Sequence, residues 1–294
     1  MLWAVFTLIA AAAQTARNAM QRELTATLGT VGATHVRFLF GFPFALLFLS
    51  GLIAVTGDRL PATTPAFWPW VIGGALGQIA ATALMLSAMG ERSFVVAYAY
   101  IKTEPVQVAL FGLIFLGDRF TPLAATAILV ATAGVIVMSL KPGAGQVGTT
   151  RSTLIGLGGG TMFALSAISY RGAILSLGLS DFMLAATFTV TIGLVIQAAL
   201  LSGYLALRDP GVLRAIARAW KPSLFAGFMG AFASEFWFLA FAITSAANVR
   251  TLALVEVLFA QGVTRFVFKQ PTTRREVIGI VLVVIGVALL VWAY

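Results

Sequence analysis

Long apolar segments separated by short polar stretches recur along the whole chain. A helix needs about 20 apolar residues to cross the hydrocarbon core of a bilayer, so the pattern predicts ten transmembrane spans. Their approximate limits are 2–21, 32–56, 67–89, 94–116, 121–140, 153–175, 181–206, 222–244, 248–268 and 276–293. The sequence therefore predicts an all-α integral membrane protein with ten transmembrane helices.

The second half of the chain repeats the first at a nearly constant offset of 152 positions. Matching pairs include Trp68 with Trp220, Glu104 with Glu256, and Gly134 with Gly286. The glycine-rich stretch 142–151 is the predicted linker between two five-helix units, 1–141 and 152–294. Because five is odd, the second unit enters the membrane from the opposite side, which predicts the inverted repeats common among secondary transporters.

Composition narrows the function classes. The chain is 60% hydrophobic and 10% charged, too apolar for a soluble domain. It has no cysteine and one histidine, so we expect no metal site, no cofactor and no catalytic residues of an intramembrane enzyme. Most of the basic residues lie in predicted loops, so the net charge of +9 indicates no nucleic-acid partner. No GxxxxGK[ST] motif is present, which excludes ATP as the driving force.

Basic residues also predict the orientation. Twelve of the nineteen Lys and Arg residues, including Arg17, are assigned to loops after the odd-numbered spans or to their edges. Three, including Arg171, are assigned to the opposite side. The positive-inside rule then places both termini outside the cytoplasm.

The most unusual polar residues lie within the fourth and ninth predicted spans. Charges at this depth are costly and by default mark a functional site. In the fourth span, Lys102 shares a helical face with Tyr98, and Glu104 lies on another face. Pro105 cannot donate to the carbonyl four residues earlier, so we expect a kink there that acts as a hinge. The matching position in the ninth span is Val257, so only the first half is expected to kink.

Two interpretations of the buried charges are open. Lys102 and Arg250 either donate to an anionic substrate group in a central cavity or pair with nearby carboxylates. Glu104 and Glu256 are interpreted as structural charges, pairing with Arg37 or Arg265. Glu235 is either a proton carrier or a salt-bridge partner, and we include it among the substrate-binding candidates. The uncharged candidates are Gln14, Gln78 and Ser166 for hydrogen bonds, and Tyr98, Tyr100, Phe163, Tyr170 and Trp237 for apolar contact.

Glu104-Pro105 and the stretch Leu116-Gly-Asp-Arg-Phe-Thr-Pro122, in a chain of this layout, resemble the drug/metabolite transporter superfamily. Within it, the chain is similar to EamA-type ten-helix exporters, and in particular to bacterial exporters of aromatic amino acids. The second half departs from the pattern, with Glu256-Val257 and Lys269-Gln-Pro271.

The resemblance implies export of small amphipathic metabolites, above all neutral or aromatic amino acids, by alternating access. It also implies a multi-pass protein of the bacterial inner membrane that works as a monomer. Helices 1–4 and 6–9 would surround the cavity, and the termini would be cytoplasmic, contrary to the charge count. Cationic drugs, phosphorylated metabolites and a passive facilitator or channel remain as alternatives.

Overall fold

The computed structural model describes residues 1–89, 100–139, 150–266 and 273–293. Within these ranges the chain is all-helical, as predicted, with no strand. The first-half helices are α1 (Leu2–Leu39), α2 (Phe42–Thr56), α3 (Phe67–Met89), α4 (Glu104–Phe111, continued by the π-helix Gly112–Leu116) and α5 (Pro122–Ser139). The second-half helices are α6 (Thr150–Ser176), α7 (Phe182–Arg208), α8 (Pro210–Arg218), α9 (Trp220–Ile243), α10 (Ala246–Leu252), α11 (Val255–Phe266) and α12 (Arg274–Trp292).

The break predicted between spans 1 and 2 is present, but as a kink and not as a loop. Within α1, two helices meet at Gly29, whose φ of 67° and ψ of 175° are not helical, so the first helix continues beyond the predicted limit at residue 21. Side chains disfavour positive φ, so a glycine can make this break where other residues would be strained. A consequence is that Arg17, expected at a loop, lies inside a helix and is buried.

Six helical segments in the described ranges are long and apolar enough to cross a membrane, by length and composition. They are Glu23–Thr56, Phe67–Ala88, Thr153–Ser176, Phe182–Arg208, Trp220–Ile243 and Arg274–Trp292. Two shorter apolar helices, Glu104–Leu116 and Pro122–Met138, accompany them. The chain is thus a multi-pass membrane protein.

Three helix pairs dominate the packing, and each joins the two halves of the chain: α1 with α9, α3 with α6, and α5 with α12. In the last pair, a Cβ built on Gly134 would lie 2.8 Å from the carbonyl oxygen of Gly279. A Cβ on Gly286 would lie 2.5 Å from the backbone nitrogen of Ala131. Such small residues let helix backbones approach closely in a membrane.

Between α7 and α9, the helix α8 is amphipathic. Ile216 is buried against α1, whereas Arg214 and Arg218 are exposed on the other side. The basic stretch between α7 and α9 therefore forms a short amphipathic helix.

Candidate functional site

Two interrupted helices bring the charged residues together. In the first half, the helix stops at Lys102 and Thr103 and restarts at Glu104. Here the amide of Thr103 donates to the carbonyl of Tyr100, three residues back, at 3.1 Å. In the second half, α10 ends at Leu252 and α11 begins at Val255. Both interruptions are tight turns of i→i−3 hydrogen bonds, and each leaves helix ends inside the apolar part of the chain.

Each interruption places a cation before it or in it, and a carboxylate after it. Arg250 lies in the last turn of α10, just before the second interruption. Lys102 lies within the first interruption itself. Glu104 and Glu256 lie in the first turns of α4 and α11. Cations are favoured at helix C-termini and carboxylates at N-termini, because the backbone dipoles leave partial charges there.

The ion pairs cross between the halves. Lys102 pairs with Glu256, and Arg250 pairs with Glu104, with Nε of the arginine 3.1 Å from Oε1 of the glutamate. All four side chains are largely buried. The predicted partner Arg37 instead donates to Thr82 and Ser234, and that expectation is wrong; the side chain of Arg265 lies outside the described residues. The two halves are therefore joined at their centre by two reciprocal salt bridges.

A hydrogen-bonded chain extends this centre towards α1 and α9. Gln14 donates to Oε2 of Glu256 at 3.4 Å and accepts from the indole nitrogen of Trp237 at 3.2 Å. The guanidinium of Arg250 lies over the Trp237 ring, 4.7 Å from its centroid. Trp237 thus supports both a cation and the glutamine that holds the neighbouring carboxylate.

A cavity of about 30 Å³ lies among these residues. Its lining consists of Gln14, Arg17, Asn18, Met85, Ile101, Lys102, Glu104, Phe163, Arg250 and Glu256. This volume is close to that of one water molecule in the liquid, so the cavity is too small for a substrate in this conformation. A larger groove of about 480 Å³ lies between α1 and α8, with Glu23 and Arg218 among mostly apolar lining residues, away from the buried charges.

Several candidates from the sequence lie elsewhere, as contacts between helices. Gln78 accepts from Gln197 at 2.9 Å, and Ser166 donates to the carbonyl of Gly74. Tyr170 is buried and packs against Phe238. The placement of these three side chains is that of interhelical packing.

Glu235 and Tyr100 also lie apart from the cavity lining. Glu235 accepts from Thr187, and its Oε2 atom has no hydrogen-bond partner among the described residues. Tyr100 is 37% exposed. Tyr98 lies outside the described residues. Of the remaining candidates, Gln14, Phe163, Lys102 and Arg250 line the cavity, and Trp237 contacts two of them.

The sequence predicted that Pro105 kinks a continuous helix, but the structure shows no such kink. Pro105 lies in the first turn of α4, where a missing N–H costs nothing because helix N-terminal amides have no intrahelical partner. The second half is interrupted at the corresponding place without a proline. The expectation that only the first half departs from a regular helix is therefore wrong.

The sequence reasoning missed Arg17 and Asn18 as cavity residues. Gln14, Arg17, Asn18 and Gln21 follow an i, i+3, i+4, i+7 pattern, which places them on one face of α1. Ending the predicted span at residue 21 turned Arg17 into a loop-edge residue. The polar stripe itself was the signal that could have found it.

The charge count needs a second correction at Arg171. This arginine lies within α6, where it contacts Asp118 and donates to the carbonyls of Phe241 and Thr244 at 2.7 Å each. Without Arg17 and Arg171, eleven basic residues are assigned to the predicted cytoplasmic side and two to the opposite side. The excess of basic residues therefore stays on the side that the sequence predicted.

Known proteins provide an independent comparison. One matching solved structure, titled "Crystal structure of protein", has a TM-score of 0.71 and 16% identity, covering 97% of this chain and 95% of its own. At this identity the likeness shows a shared fold. No curated protein sequence matches the chain.

The sequence also matches a protein family, described as the EamA-like transporter family, over residues 1–140 and again over 151–292. Together these segments cover nearly the whole chain. A family of transporters agrees with the apolar helices and the charged centre described above. The chain belongs to the EamA-like transporter family.

Proposed function

We propose that this protein is a secondary transporter that exports small amphipathic metabolites, namely neutral and aromatic amino acids, by alternating access. The observation that carries the proposal is the small cavity of mixed charge between two interrupted helices. Interrupted helices at a central site are a recurrent device of secondary transporters, because their free ends supply polar groups to a solute. The lining residues Phe163, which is partly buried, and Met85, which is buried, suit an amphipathic substrate.

The proposal includes ten spans in two inverted five-helix repeats, divided near residues 142–151. Support comes from the helix bounds, since α5 (Pro122–Ser139) and α12 (Arg274–Trp292) begin 152 positions apart. The main packing pairs also suit an internal two-fold axis. Exchanging the halves converts the α1–α9 contact into the α6–α3 contact and returns the α5–α12 contact to itself. The two separate family matches fit the same division.

The cavity volume favours a carrier over an open pore. A void of about 30 Å³ cannot hold an amino acid, since small-molecule sites usually measure about 300–1,000 Å³. The helices must therefore move apart to admit a substrate. In this proposal the movement takes place at the crossed salt bridges. We also propose that the protein exports its substrate as a monomer in the bacterial inner membrane.

The charges also favour one substrate class. Among the described residues, three cations line the cavity, Arg17, Lys102 and Arg250, against two carboxylates. A cationic drug would meet a net positive wall, which costs energy in a medium of low dielectric. Phosphorylated metabolites, which are anionic, are the second candidate on this ground.

The test is exchange in proteoliposomes containing the purified protein. Vesicles loaded with one unlabelled amino acid are offered a panel of labelled amino acids outside. We expect saturable uptake that the internal substrate accelerates, and the same rates for Arg214→Gln, which removes an exposed charge on α8. Flux that neither saturates nor responds to internal substrate indicates a channel, and no amino-acid flux above protein-free vesicles overturns the proposed substrate class.

A further inference from the structure

Arg17 differs from the other cations of the cavity. It is 1% exposed and lies in the cavity wall, yet its hydrogen bond goes to the uncharged Oδ1 of Asn18, at 2.7 Å. Its Nε and Nη1 atoms have no hydrogen-bond partner among the described residues. Glu91 is the one acidic residue outside those residues, and none of the other acids forms a salt bridge with Arg17. A buried guanidinium thus has free donors at the cavity.

Both carboxylates of the cavity are already committed. Glu256 contacts Lys102 and Gln14, and Glu104 contacts Arg250. Moving either carboxylate to Arg17 would break one of these contacts. Among the described lining residues, three cations therefore face two carboxylates, and buried charges are strongly disfavoured without a partner.

Neighbouring residues hold the Arg17 side chain in position. Its Cδ atom would lie 3.4 Å from a Cβ built on Gly230, so the absence of a side chain there leaves space for the guanidinium stem. Asn18 fixes one of its terminal nitrogens. An arginine that is oriented in advance loses little freedom when it binds an anion, and guanidinium matches carboxylate geometry.

We propose that Arg17 is the receptor for the carboxylate of the transported solute, with Asn18 as a positioning residue that orients the guanidinium. The inference rests on the proposed function and deepens it, because it moves the carboxylate from Lys102 and Arg250 to Arg17. One surplus positive charge calls for one negative charge. A zwitterionic or singly anionic carboxylate therefore fits better than a phosphate dianion.

The first test measures binding without transport. The purified full-length protein is heated in detergent at constant ionic strength with benzoate or with the uncharged benzamide, and the melting temperature is recorded. Benzoate is expected to raise the melting temperature of the wild type, and benzamide is not. In Arg17→Gln the effect of benzoate is lost, whereas Arg17→Lys, which keeps the charge, retains part of it.

The second test measures discrimination during exchange. In wild-type proteoliposomes, phenylalanine competes better than phenylalaninamide, by at least about tenfold, the factor that a charged hydrogen bond supplies. Arg17→Gln brings the two competitors to similar potency. Asn18→Ala weakens phenylalanine while keeping the preference, and Arg214→Gln changes neither.

The outcomes separate the two proposals. If the wild type exchanges amino acids but Arg17→Gln keeps both the benzoate effect and the preference for phenylalanine, Arg17 is not the receptor and the transporter proposal stands. If benzoate stabilises only proteins with a cation at position 17 but no amino acid is exchanged, the anion site stands and the proposed substrate is wrong. If benzoate has no effect on the wild type, the anion site is overturned. Size-exclusion chromatography of each variant identifies misfolding. If Arg17→Gln misfolds, Arg17→Lys is compared with the wild type, and a benzoate effect and a preference for phenylalanine as large as those of the wild type overturn the assignment.

Discussion

The interrupted helix of the first half and that of the second half differ in one informative way. Both turn at nearly the same place, 102–103 and 253–254, and both resume with a glutamate in the first turn. Only the first carries a proline, and only the first has its cation within the turn rather than before it. The shared features are therefore the i→i−3 hydrogen bonds and the charges at the helix ends, while the proline is an addition to one half.

The different register of the cations explains the crossed pairing. Lys102 and Arg250 do not occupy matching positions, since the repeat places Tyr98 opposite Arg250 and Leu254 opposite Lys102. Each nevertheless contacts the glutamate of the other half. Glutamates at matching positions of the sequence repeat thus pair with cations at positions that do not match.

The largest effect is expected from removing one partner of a crossed pair. Lys102→Ala leaves Glu256 buried without its main counter-charge, which costs about 3–5 kcal/mol for buried pairs. The measurement is the thermal unfolding of the purified protein, followed by substrate exchange. Lys102→Met combined with Glu256→Gln removes both charges and is expected to recover most of the loss. A double variant as unstable as the single one would show that the pair is not the reason.

A second test concerns the packing of the first interruption. A Cβ on Gly160 of α6 would lie 3.1 Å from the carbonyl oxygen of Ile101 and 3.3 Å from that of Tyr100. Because these are backbone atoms, Gly160→Ala is expected to displace the turn and to cost about 1–3 kcal/mol of stability. Gly158→Ala is the matched control, since its nearest contact is Leu84 Cδ1 at 3.7 Å. Equal melting temperatures for the two variants would contradict this close contact.

The repeated glutamates give a smaller and more specific difference. Glu256 contacts both Lys102 and Gln14, whereas Glu104 pairs with Arg250. Glu256→Gln is therefore expected to lower stability more than Glu104→Gln does, by about 1 kcal/mol, the usual worth of one hydrogen bond. The comparison uses unfolding of both variants in the same detergent. Gln14→Leu should remove most of the difference, and a larger loss for Glu104→Gln would reverse the ranking.

The smallest effect is expected at Pro105. Since it lies in the first turn of α4, Pro105→Ala removes no helix-breaking clash and is expected to change stability by less than about 1 kcal/mol. Exchange rates should stay within about threefold of the wild type, because the second half turns without a proline. A loss above tenfold would show that the proline, and not the hydrogen-bonded turn, sets the motion of the first half.

The sequence predicted the part of the fold that depends on local pattern. Apolar segments mark the helices well, as α3 (Phe67–Met89) lies at the predicted limits 67–89. The pattern ended the first span too early, because Gln21 and its polar neighbours continue a helix up to the kink at Gly29, packed against α9 and α8. Hydropathy alone assigns such residues to a loop, because an average over a window contains no information on which helix faces are buried.

The sequence predicted most of the charged residues of the candidate site but only some of its uncharged ones. Buried charges in apolar segments are rare enough to single out Lys102, Glu104, Arg250 and Glu256 from sequence. Gln78, Ser166 and Tyr170 were chosen by the same criterion of polarity, yet they contact other helices. An uncharged polar group in a membrane helix can satisfy its hydrogen bonds in many ways, so its type says little about its place.

The sequence by itself determined that this is a helical membrane protein, that its halves repeat, and that a few costly charges lie within them. Only the tertiary structure decided which charges neutralise one another and which do not. Lys102 and Glu256 are 154 positions apart, and a Coulomb interaction depends on distance in space rather than along the chain. For the same reason, Arg17, which the sequence assigned to a loop edge, is a buried cation with free donors in the wall of the cavity.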